Sequence, residues 1–206
     1  MTGLRLILVR HAETDANVSL VLDSMPPGPP LNELGLRQAD ELADALAVEP
    51  VAAVYASIAL RAQQTARPVA ERHGLTVDVT AGLHEVFLGD LEGTSGDESL
   101  TAFLTVAKAW AAGELDRALP GGESALDAIG RFTDAIAGIR ARHPHGVVIA
   151  VTHGAVLQVA VPALAPNLAE LGARPLVPNT GQVVLDQDDT TPTGWRCVSW
   201  MGTRLE

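Results

Sequence analysis

Apolar positions along this chain switch between two periods. Leu4-Arg5-Leu6-Ile7-Leu8-Val9, Val51 to Ala56 and Val147-Val148-Ile149-Ala150-Val151-Thr152 are short, nearly continuous apolar runs rich in β-branched residues. That is the pattern of strands covered on both faces. Elsewhere the apolar positions recur every three or four residues. Leu36, Ala39, Leu42, Ala43 and Leu46 predict a helix with Asn32 as its N-cap. Ser57 is expected to cap the helix after the second run, which Gly74 closes just beyond His73 and which Pro68 kinks or breaks. Leu100, Phe103, Leu104, Ala107 and Trp110 predict a helix stopped at Gly113. After the turn Pro120-Gly121-Gly122, the pair Glu123-Ser124 opens another, with Leu126, Ile129, Phe132, Ile136 and Ile139 on one face. A short helix is expected from Ala155 towards Pro162, then two late strands over 183–185 and 196–200.

Strands alternating with helices predict an α/β fold: a three-layer α/β/α sandwich whose central sheet is mostly parallel with an antiparallel edge strand. No repeat or linker divides the chain, so one domain over residues 1–206 is expected, with a small helical insertion or lid around 95–120. With 47% hydrophobic residues but only 3% aromatics, Ala, Val, Leu and Ile must fill the core.

Charge narrows the partners. A formal net charge of −11 argues against nucleic acid and anionic membrane, both of which demand a basic face. Cys197 is the sole cysteine, which rules out an intrachain disulfide framework or a cysteine-based zinc site. The apolar N-terminal stretch is too short for a signal sequence and no run approaches bilayer length, so a cytoplasmic location is expected.

In so acidic a chain, clustered cations are informative. Two of the strongest strand signals each end in histidine: Arg10-His11 follows Val9, and His153 follows Val151-Thr152. If these strands are parallel neighbours, both imidazoles lie on the edge where open α/β sheets bind ligands. Arg61, in the first turn after the second strand, projects to the same edge near helix N-termini that favour anions. An arginine fork matches phosphate oxygens, and imidazole accepts a phosphoryl group. A carboxylate is then needed for the leaving oxygen; Glu85 is one candidate, and Glu92 and Asp90 lie in the same loop over residues 82–96.

Six ordered blocks resemble the histidine phosphatase superfamily, or phosphoglycerate mutase-like family. They are Arg10-His11-Ala12-Glu13-Thr14 with Asn17; Pro30-Leu31-Asn32-Glu33-Leu34-Gly35 with Gln38-Ala39; Ser57 with Arg61-Ala62-Gln63-Gln64-Thr65-Ala66; Leu83-His84-Glu85 with Gly89 and Glu92-Gly93; Pro120-Gly121-Gly122-Glu123-Ser124; and Val151-Thr152-His153-Gly154. Ala12 replaces the family's glycine, which places a methyl group near the approach to His11. The resemblance implies that His11 is the nucleophile. Arg10, Arg61 and His153 clamp the phosphoryl oxygens, Asn17 adds a hydrogen bond, and Glu85 is general acid and then base. It implies a metal-independent phosphomonoester hydrolase with a phosphohistidine intermediate, no metal and no cofactor, acting on a small phosphorylated metabolite.

Two alternatives stay open at this level. A phosphoglycerate mutase-type phosphotransferase needs extra cations for a second anion, yet residues 85–119 hold only Lys108 and Arg117. A non-catalytic phosphoanion-binding module would not need Glu85. His84 neighbours Glu85 and could tune it, His143-Pro144-His145 is expected as a solvated loop, and the oligomeric state is not encoded in any legible pattern.

Overall fold

The computed structural model describes residues 3–171 and 176–205. Its parallel half contains β1 (Leu4–Arg10), β2 (Val51–Ala56), β3 (Val77–Val79) and β4 (Gly146–Thr152), in spatial order β3-β2-β4-β1. The antiparallel flank is made by three strands, β5 (Gln182–Gln187), β6 (Trp195–Trp200) and β7 (Thr203–Arg204), which extend the sheet beyond β1. Helices are α1 (Asp15–Val18), α2 (Glu33–Leu46), α3 (Leu60–Arg72), α4 (Asp97–Ala111), α5 (Ala125–Arg142) and α6 (Gly154–Leu164).

Strand alternation explains the layers. Leu4, Leu6 and Leu8 of β1 join Val148 and Ala150 of β4 in a core with Trp110, Phe132, Ile136 and Leu157 from α4, α5 and α6. Ile7 and Val9 join Val147, Ile149 and Val151 in a second core with Leu42, Leu46, Ala66 and Val69 from α2 and α3. Both faces are dry, so the strands read as unbroken apolar runs. The β1–β4 pairing sets Arg10 opposite Thr152, and the next amides continue it: His11 N donates to Thr152 O at 2.9 Å, and Ser57 N to Val151 O at 3.0 Å. His11, Ser57 and His153 therefore leave three adjacent strands at one sheet edge.

Several local expectations are corrected. Ser57 does not cap α3; its N-cap is Ala59, without a side-chain bond. Pro68 does not break α3, which runs on to Arg72. A mid-helix proline costs about 3 kcal/mol, and burial of Ala62, Ala66, Val69 and Ala70 against the sheet outweighs it. Leu36 and Leu126 are exposed, because the buried faces are Gly35, Ala39, Leu42, Ala43 and Leu46 on α2, and Ala125, Ala128, Phe132, Ile136 and Ile139 on α5. Gly35 is required by contact: a Cβ there would collide with the Glu13 carbonyl, where α2 packs against the loop leaving β1. The His143-Pro144-His145 loop is solvated at Pro144 and His145, but His143 is half-buried and its ring shares a 2.8 Å hydrogen bond with Tyr55 Oη. Trp195, Cys197 and Trp200 belong to the core, and burial pushes the Cys197 thiol up to about 11. No helix among the described residues is long and apolar enough to cross a membrane.

Candidate active site

His11 sits where the chain leaves β1, 4% exposed. Its Nδ1 lies 2.7 Å from the Ala12 carbonyl oxygen. A carbonyl only accepts, so this contact places the ring proton on Nδ1 and leaves a lone pair on Nε2. That lone pair receives Nε of Arg61 at 3.2 Å. Burial, then the Arg61 charge, then Arg10 hold the imidazole down to about 3, against the Ala12 bond that favours protonation. The ring is neutral at physiological pH.

His153 stands beside it, with ring centroids 5.1 Å apart. It is fully buried, and its Nε2 is 2.7 Å from Ser57 Oγ, which also accepts the Ala59 amide at 3.2 Å. Burial, with Arg61 and His11 adding to it, drives its basicity well below the usual imidazole range. Among the described residues, two buried side-chain polar atoms have no partner: His153 Nδ1 and Arg10 Nε. Leaving such groups unpaired costs roughly 1–3 kcal/mol each. Arg10 is otherwise tied by Nη1 to the Val177 carbonyl at 2.8 Å.

Arg61, 2% exposed, is held from the far side. Its Nη2 donates to the Asp23 carbonyl at 3.1 Å, and Nη1 lies 3.4 Å from the Asp23 carboxylate. Gly28, with positive φ, packs its Cα directly on the guanidinium, where a Cβ would collide with it. Glu92 anchors this loop by accepting from Ser24 N, Ser24 Oγ and Met25 N at 2.7, 2.6 and 2.9 Å. Its carboxylate is thereby committed to the loop.

Glu85 is placed differently. Its Oε2 accepts from Ala155 N at 3.0 Å, and Oε1 from Val156 N at 2.8 Å and Val86 N at 2.9 Å. The carboxylate thus occupies the positive end of α6. Arg131 clamps the loop that carries it, donating to the Gly82, His84 and Glu85 carbonyls and pairing with Glu123 at 2.8 Å. His84 turns to this clamp instead, stacked on Phe87 and held down to about 4 by burial and Arg131.

Asn17 closes the capping box of α1 with Thr14, and its Oδ1 also accepts from Asn179 Nδ2 at 3.2 Å. The same Asn179 nitrogen donates to the His11 carbonyl at 2.9 Å. The Ala12 methyl packs with Leu31 and Ala39, not over His11, while its amide donates to Thr65 Oγ1 at 2.9 Å. The six residues read from sequence (Arg10, His11, Asn17, Arg61, Glu85 and His153) therefore converge on one sheet edge.

Sequence reading gives no role to Asn179, Asp23, Thr65 or Arg131, and mistakes the role of Ser57. Thr65 lies four residues after Arg61 on a buried helix face, so helical spacing could have found it. Asn179 and Arg131 come from distant segments that no local pattern links to His11 or Glu85. A cleft of about 690 Å³ opens beside the site, lined by Arg10, Asp23, Glu85 and a largely apolar wall.

A sequence family described as the histidine phosphatase superfamily (branch 1) matches residues 6–202. A metal-independent phosphoserine phosphatase of Arabidopsis thaliana is 34% identical over 157 residues, covering 74% of this chain and 65% of the relative. The PE-PGRS family protein PE_PGRS11 of Mycobacterium tuberculosis is 32% identical over 213 residues; this covers 94% of the chain but 36% of the relative. The chain thus spans less than two thirds of the length of both. The native structure of a mycobacterial glucosyl-3-phosphoglycerate phosphatase superposes with a TM-score of 0.82 at 27% identity, covering 97% of this chain and 99% of that one.

Proposed function

The chain belongs to the histidine phosphatase superfamily, branch 1, and from that membership we propose that it hydrolyses phosphomonoesters through a phosphohistidine on His11, without a metal. The observation that carries this reading is the pair of unpartnered buried atoms, Arg10 Nε and His153 Nδ1, beside the lone pair on His11 Nε2. A phosphoryl group supplies the acceptor oxygens that these donors lack. If Ser57 donates its hydroxyl hydrogen to His153 Nε2, the ring proton stays on Nδ1 and is offered to the phosphate.

In the first step His11 Nε2 bonds to phosphorus, the ester P–O bond breaks, and Glu85 gives a proton to the departing alkoxide. Charge developing on the ring is shared with the Ala12 carbonyl. In the second step water bonds to phosphorus, the N–P bond breaks, and Glu85 takes the water's proton. The net products are alcohol and phosphate. Phosphoryl transfer asks mainly for positioning and fixed positive charge. Arg10 and Arg61 provide that charge in a protein of net charge −11.

Glu92 and Asp90 are set aside as acids: Glu92 holds the 24–25 loop, while Glu85 lines the cleft with Arg10. Hydrolysis is favoured over mutase transfer because Arg10 is the one cation among the described residues lining the cleft. The proposal extends to a single domain whose α4 covers the cleft as a lid, a small phosphorylated metabolite as partner, and a cytoplasmic setting. The lone, buried Cys197 suits that setting.

The test is hydrolysis of an aryl phosphate in EDTA by the wild type and His11→Ala. Activity that survives chelation and vanishes in the variant is expected. Phosphate binding with no turnover in either protein would move a non-catalytic phosphoanion-binding module to first place.

A further inference from the structure

The cleft beside the phosphoryl cradle has a chemical character that the reaction itself does not require. One wall is α4, which turns Phe103, Leu104, Ala107 and Trp110 towards it. These positions are spaced by one, four and seven residues, so they share one helix face. The opposite wall is α6, with Val159 and Pro162. Leu104 stays exposed although it is a large apolar side chain, and Trp110 is fixed by its indole N–H donating to the Arg117 carbonyl at 2.7 Å. The cavity volume, about 690 Å³, falls in the range of roughly 300–1,000 Å³ typical of sites that enclose drug-sized ligands.

Charge at the inner end is equally specific. Arg10 and Glu85 line both the cradle and the cleft, so a leaving group departing past Glu85 enters the apolar space. Among the described lining residues, the charged groups other than Arg10 are the carboxylates Asp23 and Glu85. Arg10 is directed at the phosphoryl group. A substrate carboxylate carried beside the scissile oxygen, as in a phosphoglycerate or phosphoserine, would meet like charge, hydrocarbon and the neutral amide of Gln158, without a counter-ion. Burying such a group unpaired is costly.

We infer that the substrates of this site are phosphate monoesters of apolar alcohols, aliphatic or aromatic, whose hydrocarbon part lies between α4 and α6. The inference rests on the hydrolase reading above and adds the class of leaving group. Continuity of the cleft with the cradle through Arg10 and Glu85 commits it to the substrate itself.

The test is a series of ethyl, butyl and hexyl phosphate, whose leaving alcohols differ little in acidity, beside 3-phosphoglycerate and O-phosphoserine. Each methylene buried raises kcat/KM about fourfold at most, so the four added from ethyl to hexyl phosphate set a ceiling of about 250-fold, and a rise of about 30-fold or more is expected. Both carboxylate-bearing esters should fall below butyl phosphate. Leu104→Asp, a change at an exposed position, should cut the hexyl-to-ethyl ratio at least tenfold, and Ala107→Trp, which fills the cleft, should do the same. A flat chain-length series, or 3-phosphoglycerate outrunning hexyl phosphate, overturns the substrate class while the hydrolase reading stands. No phosphate release from any ester and no phosphorylated His11 overturns both.

Discussion

Arg61 directs its Nε hydrogen at Nε2 of His11 across 3.2 Å, the nitrogen that the Ala12 bond leaves unprotonated. The guanidinium therefore acts on the nucleophile before any phosphate arrives: it adds to burial in keeping the ring neutral and engages the nitrogen that the Ala12 bond leaves free. The Asp23 carbonyl and carboxylate hold Arg61 from behind, so the cation stays in place.

Arg61→Gln removes that charge. Loss of one preorganised donor at a developing anion typically costs 10²–10³ in rate, and a kcat/KM decrease of about that size is expected. The His11 titration, followed by NMR of the ring protons, should move up from about 3 yet stop short of the ordinary 6.5, since burial is the larger cause. A midpoint that does not move would show that burial alone keeps the ring neutral.

Glu85→Gln tests the proton donor. General acid catalysis contributes typically 10²–10⁴-fold, so hydrolysis of an alkyl phosphate should slow by about that factor. p-Nitrophenyl phosphate, whose leaving group departs without a proton, should slow by less than about tenfold. The variant also faces an NH₂ group towards one of the α6 amides that the carboxylate now accepts, so a lower Tm is expected. Equal losses on both substrates would reduce Glu85 to a positioning role.

Acid sensitivity follows from the buried imidazoles. His11 is held at about 3 and His153 well below its usual range, while His84 is held at about 4. These folded-state values are depressed. Below about pH 6.5 the unfolded chain takes up protons that the folded protein refuses, so stability is full above 6.5 and falls as pH drops towards 3. His11 carries this loss down towards 3 and His84 ends its share near 4, while His153 adds to it in the same direction. Urea unfolding at pH 7 and pH 5 measures the difference; equal midpoints would contradict it.

The elements and the site were legible to different degrees, for physical reasons. Strands buried on both faces leave an unbroken apolar run, and a histidine directly after one is placed at the ligand edge by topology alone. That is why the sequence alone pairs His11 with His153. Leu36 and Leu126 were misassigned because the first helical turn has no preceding turn to fix its phase. Ala12 was read as an obstruction, since sequence does not say which side a methyl faces; Leu31 and Ala39 take it. Asn179 and Arg131 act on the His11 and Glu85 backbones from 168 and 46 residues away, and only the fold brings them together.

Ser57 carries the least obvious assignment and a direct test. A serine just after a strand reads as a helix cap, yet α3 begins without it and the hydroxyl lies 2.7 Å from His153 Nε2. With the Ala59 amide already donating to the oxygen, the hydroxyl hydrogen is available to fix the imidazole with its proton on Nδ1. Ser57→Ala leaves a buried ring nitrogen unpaired, a penalty of roughly 1–3 kcal/mol, and frees the ring to change tautomer. Inorganic phosphate should then inhibit about ten- to a hundredfold more weakly, with kcat/KM falling in step. Ser57→Thr, which keeps the hydroxyl, should restore most of the loss. Inhibition by phosphate that is unchanged in Ser57→Ala would mean that His153 needs no help from Ser57 to face the phosphoryl group.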